Sequence, residues 1–138
     1  MTKTTTTTTG QDMTDDEKLR KALASHVNVA KEQYETTLAT FLASAQRNPA
    51  AAIADRAEGM VAAQTKHEVW LAVDRQLAEH DPRAVLAMNL NECQRRMRSF
   101  CRDGICAGMA SNSVECARAG ALVRQVEVLE DLTRRFGT

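Results

Sequence analysis

Apolar residues recur along this chain in steps of three and four, and hardly anywhere in strict alternation, so the pattern predicts helices and almost no strands. Leu19, Leu23, Val27, Ala30, Tyr34, Leu38, Phe41 and Ala45 form one such stripe. Thr14-Asp15-Asp16-Glu17 ahead of it has the form of a capping box, with acids suited to the positive end of the helix dipole. Asn48-Pro49 marks the next boundary, since asparagine caps well and proline at the first helical position gives up an amide that would be unpaired anyway. The second stripe runs through Ile53, Ala57, Met60, Gln64, His67, Leu71 and Leu77, widened by Trp70 and Val73. Asp81-Pro82 repeats the boundary signal, and Val85, Leu86, Asn89, Cys93, Met97, Phe100 and Cys101 continue at helical spacing until Arg102-Asp103-Gly104 offers a stop. Gly104 to Ser113 reads as a loop or weak turn, and Asn112-Ser113-Val114-Glu115 as a second capping box. Val114, Ala117, Ala121, Leu122, Val126, Leu129, Thr133 and Phe136 then line a last helix.

The expected fold is therefore all-α: four long helices at about 14–46, 48–80, 82–103 and 112–136, forming one domain from residue 14 to 138. Short connections favour an antiparallel bundle or two stacked helical hairpins. The proposed starts at 14, 48, 81 and 112 are nearly evenly spaced but share no consensus, so equal helix length explains them better than internal repetition. Only one Trp, one Tyr and three Phe are available, so the core must be built mostly of Ala, Leu, Val and Met. Such a slim core gains from a cross-link or from docking onto a larger assembly.

Composition changes this picture little. Apolar residues make up 43% and charged residues 26%, ordinary for a globular chain, and 18 basic side chains balance 18 acidic ones. Net charge thus points to no polyanionic partner. Residues 1–80 hold nine basic and eleven acidic side chains and 81–138 nine and seven, with every basic residue after Lys66 an arginine. No apolar run approaches the roughly 18 residues of a membrane span, and no charged start followed by an apolar block marks a secretory signal. Residues 1–13, rich in threonine, read as a disordered tail and make a poor mitochondrial presequence.

All four cysteines, Cys93, Cys101, Cys106 and Cys116, lie in one window of 24 residues around Gly104. They fit three readings. In a reducing compartment they are small buried hydrophobes, and Cys93 and Cys101 do fall on the apolar face of the third helix. In an oxidising one they can staple the C-terminal hairpin, Cys93 to Cys116 and Cys101 to Cys106, if both flanking segments are helical up to the turn; if the fourth helix starts only at Asn112, Cys101 with Cys116 fits better. A four-thiolate zinc site is disfavoured by the lack of close Cys-x2-Cys pairs, and no thioredoxin-like Cys-x-x-Cys occurs.

The spacing Cys93-x7-Cys101, a tight link, then Cys106-x9-Cys116 resembles the twin Cys-x9-Cys helical hairpins (coiled-coil-helix-coiled-coil-helix domains) of the mitochondrial intermembrane space. The likeness is confined to residues 93–116, and the first spacing is seven rather than nine. It implies nested disulfides, Cys93–Cys116 outside and Cys101–Cys106 inside, oxidation on import without a cleaved presequence, and a structural role as an accessory subunit or assembly factor of a respiratory-chain or ATP-synthase-sized complex. The other expectation is a cytoplasmic bacterial or phage helical bundle with reduced cysteines, acting as an adaptor or regulator.

Neither expectation involves catalysis, a cofactor or a metal. His26, His67 and His80 are scattered, and the Glu-x-x-His pairs of a carboxylate-bridged metal bundle are missing. The one charged constellation is Arg95, Arg98 and Arg102 at steps of three and four, with Arg96 beside them. That stripe is either a solvated face or a docking surface for acidic protein segments, lipid head groups or RNA phosphates. No aromatic residue is interleaved for base stacking, so the expected partners are other protein subunits, with a peripheral membrane contact as a further option.

Overall fold

The computed structural model describes residues 14–102 and 113–136, with side chains from 14 to 100 and from 114 to 136. Four helices account for almost all of them: α1 (Asp15–Arg47), α2 (Pro49–Leu77), α3 (Pro82–Arg102) and α4 (Ser113–Phe136). The all-α architecture expected from periodicity is the one observed. The threonine-rich segment, Gly104 and Cys106 lie outside the described residues.

The local signals act as their chemistry dictates. The Thr14 hydroxyl accepts from the Glu17 amide while the Glu17 carboxylate accepts from the Thr14 amide, a complete capping box. That backbone bond holds the Glu17 carboxyl below its ordinary pKa. Between α1 and α2 one residue does two jobs: the Asn48 amide donates to the Ser44 carbonyl, closing α1, and its side-chain oxygen accepts from the Ala51 amide, opening α2. The chain then reverses on a single linking residue. α2 stops at Leu77, three residues short of the sequence expectation, because the Glu79 and His80 amides both turn back onto the Gln76 carbonyl.

The orphan carbonyls left there are met from another helix. Arg20 of α1 donates to the Leu77 carbonyl at 2.7 Å and reaches the His80 carbonyl at 3.4 Å, so a guanidinium closes the negative end of α2. Arg83 at the start of α3 lies 3.1 Å from Asp16 at the start of α1. Neither contacting atom has a well-aimed hydrogen bond, so this is an ion pair by proximity, worth at most ~1 kcal/mol at its half-exposed position. These contacts gather three helix ends at one end of the molecule.

Partners across the seam between α1 and α2 run in opposite directions along the two helices: Arg20 with Leu77, His26 with Trp70, Tyr34 with His67 and Gln33 with Lys66. α2 touches all three other helices, packing most extensively on α1 and then on α4, while α3 packs chiefly on α4. Two helical hairpins are thus stacked, with α2 on α4 as the join. The α1–α2 hairpin is about 50 Å long on its longer helix.

The core occupies only part of that length. Its α1 members are Leu19, Leu23 and Ala30, and its α2 members Val69, Trp70 and Val73. Val85, Leu86 and Cys93 join from α3, and Leu122, Val126, Leu129 and Leu132 from α4. Between Tyr34 and Gln64 only Ala52 is buried, and Leu42 and Ile53 are 52% and 62% exposed. Of the face expected on α2, Trp70 and Val73 are buried, whereas Ile53 and Gln64 are exposed. The buried line is Ala52, Thr65, Val69, Trp70 and Val73, because α2 is enclosed from three sides near its C-terminus and met by α1 over most of its length.

Three buried polar side chains are all satisfied. Thr65 donates to the Val61 carbonyl; Asn89 donates to the Val85 carbonyl and to the Gln76 side chain of α2; and the Gln125 oxygen accepts from the Trp70 indole at 2.8 Å. Trp70→Phe would keep most of the ring but orphan the Gln125 acceptor, at an expected cost of ~1–3 kcal/mol. Leu129→Ala should cost ~2–5 kcal/mol through a cavity. Gly59, with open space where a Cβ would stand, should give ~1 kcal/mol of added stability on Gly59→Ala. Urea unfolding followed by far-UV circular dichroism separates the three by sign and size.

Candidate functional site

Two features singled out in the sequence bear on function, the cysteines and the arginines of α3. Cys93 lies on the inner face of α3, 2% exposed, within the core cluster. Burial pushes its thiol above the ordinary range; Glu92 adds to this and Arg96 works against it. The protonated thiol is a weak nucleophile, so Cys93 behaves as a small apolar side chain. Cys116 is half-buried near the start of α4. Both are free thiols, so the Cys93–Cys116 bridge implied by the hairpin resemblance is not formed in this structure.

Cys116 is three residues into α4 and Cys93 nine residues before the last residue of α3; residues 103–112, between the two helices, lie outside the described residues. Cys101 is on α3, but its side chain and the whole of Cys106 lie outside the described residues, as does any bridge they make. Among the described residues no three His, Cys, Asp or Glu side chains gather as a metal would require.

The arginines stand on the outer side of the same helix. Arg95 and Arg98 are exposed and Arg96 is half-buried; the Arg102 side chain is outside the described residues. Arg95 grips Glu92 with two hydrogen bonds, Nε at 3.0 Å and Nη2 at 2.6 Å, one on each carboxylate oxygen. That grip, aided by the charge of Arg96, holds the Glu92 carboxyl below its usual range. Arg96 and Arg98 form no ion pair among the described residues. Arg95, Arg96, Ser99 and Phe100 line a shallow hollow of about 200 Å³. Phe100 was read in the sequence only as a core residue; it does pack against the core, and one side of it also walls this hollow.

The histidines have partners that the sequence did not foretell. His67 stacks on Tyr34 with ring centres 4.6 Å apart, and His26 on Trp70 at 4.9 Å. His80 lies in the turn beyond α2 and contributes its carbonyl to Arg20.

Compared with protein-family models, with curated proteins and with solved structures, the chain matches none. No helix among the described residues is long and apolar enough to cross a membrane.

Thiol chemistry tests this arrangement directly. In native protein Cys116 should alkylate readily and Cys93 only after denaturation, and intact mass should show both thiols taking up label when denaturant is added without reductant. A Cys93–Cys116 disulfide would leave both unlabelled under that last condition.

Proposed function

We propose that this chain is a non-catalytic helical adaptor that binds an acidic segment of a partner protein on the outer face of α3. The observation that carries the reading is the group Arg95, Arg96 and Arg98 within one turn, two of them without an ion pair among the described residues, beside a hollow walled by Phe100. A guanidinium offers a planar fork matched to a carboxylate, and Arg95 already holds Glu92 that way, so the surface displays the chemistry it would use. The Phe100 ring is partly engaged with the core and leaves little face for base stacking.

The cysteines support the cytoplasmic form of this reading over the mitochondrial accessory subunit. Cys93 is a free thiol built into the apolar core, as expected of cysteines in a reducing compartment. The stacked hairpins supply a stiff platform, and the slim aromatic-poor core suits a component that works by contact.

The test is binding of a fluorescein-labelled glutamate-rich peptide, with an oligouridylate and phosphatidylglycerol vesicles as alternatives. The peptide should bind, with affinity falling as salt rises. The triple variant R95A/R96A/R98A should weaken it about tenfold, the sum of three exposed pairs at roughly 0.5 kcal/mol each. Glu92→Gln, which releases Arg95, should tighten it. Unchanged peptide affinity in the triple variant, or stronger arginine-dependent binding of the RNA or the vesicles, would overturn the reading.

A further inference from the structure

The seam between α1 and α2 carries both histidine–aromatic stacks. His26 lies nearly parallel to Trp70, 15° between planes, and His67 to Tyr34, 7° between planes. Beside them Lys66 donates to the Gln33 side chain at 2.6 Å, which keeps its ammonium group at the seam. The two histidines differ in what lies behind the ring they meet. Tyr34 is half-buried, whereas Trp70 is fully buried and tied to Gln125 of α4.

We propose that the His26–Trp70 stack is a pH-responsive latch that holds α1 against the rest of the bundle when His26 is neutral and loosens when it is protonated. His26 itself is half-buried, so a charge placed there loses part of its hydration. The charges it meets come from two helices and are both positive: Lys66 of α2 and Arg135 of α4. Arg135 is partly offset by Asp131, 3.8 Å away, which also holds Arg134. On α1 the residues a turn either side, Ala22, Leu23, Val29 and Ala30, carry no charge, and on α2 His67 also lies at the seam, stacked on Tyr34. Among the described residues, the charges that act on His26 include no carboxylate.

Burial first, then Lys66 and Arg135, lower the pKa of His26 below the ordinary 6.5. The sign follows from linkage. Above 6.5 both folded and unfolded chains hold His26 neutral and the full stability is present. As pH falls below 6.5 the unfolded chain takes up the proton first, so stability drops until the folded value is reached. The contacts at stake are those of Leu19, Leu23 and Ala30, the α1 contribution to the core.

Trp70 is the chain's one tryptophan and is stacked on His26, so its emission reports on this contact. In full-length protein, emission should change between about pH 8 and about pH 5, as charging His26 loosens the stack, with a midpoint below that of free histidine. His26→Gln should abolish that titration and flatten the pH dependence of the urea midpoint measured by circular dichroism, while His67→Gln leaves both in place. Lys66→Gln and Arg135→Gln, which remove one facing cation each without touching the stack, should move the emission midpoint to higher pH. The latch is overturned if His26→Gln keeps the wild-type pH dependence of stability, or if neither cation variant moves the midpoint.

Discussion

One buried hydrogen bond sets the geometry of this molecule. An indole N–H withdrawn from water must find an acceptor or cost the protein a large part of its small net stability. Trp70 finds it in the side chain of Gln125, on a helix 55 residues further along the chain. The pairing fixes the register of α2 against α4, and the face of the same indole takes His26 of α1. Three helices are thus referred to a single ring. Asn89, bonded to the Gln76 side chain, adds the fourth by tying α3 to α2 one and a half turns further on.

From that constraint follows an uneven molecule. Apolar burial concentrates around Trp70 and toward the end where Arg20 closes α2 and Arg83 meets Asp16. The other half of the α1–α2 hairpin is held by small residues such as Ala52 and by caps at Asn48, with Leu42 and Ile53 in solvent. Burial is thus dense at one end and thin at the other, and the sides of the helices turned away from the core form open surface. The outer side of α3 is such a surface, backed on its inner side by Val85, Leu86 and Cys93 in the core.

The cysteines show how far a spacing pattern carries without its tertiary context. Cys93 and Cys116 are placed almost symmetrically about Gly104 in the sequence, and symmetry in sequence becomes juxtaposition only if both helices run up to the turn. Residues 103–112, between the two helices, lie outside the described residues; Cys93 is buried in the core and Cys116 is half-buried, both as thiols.

Much of the fold was legible in the amino-acid order, because caps and periodicity act over four residues and need no distant partner. Thr14 with Glu17, Asn48 with Pro49, and the stripes of α1, α3 and α4 belong to this class, as does the row of arginines on α3, which helical spacing alone puts on one face. What tertiary structure decided concerns the sides of α2. A helix met by neighbours from several directions has no single apolar stripe to read, so the choice of Thr65 and Val69 over Ile53 and Gln64 came from packing. The same holds for Gln125 and for the two histidine stacks, whose partners lie tens of residues away. A polar residue in a helix carries no mark of the ring it will meet, and only the assembled bundle supplies one.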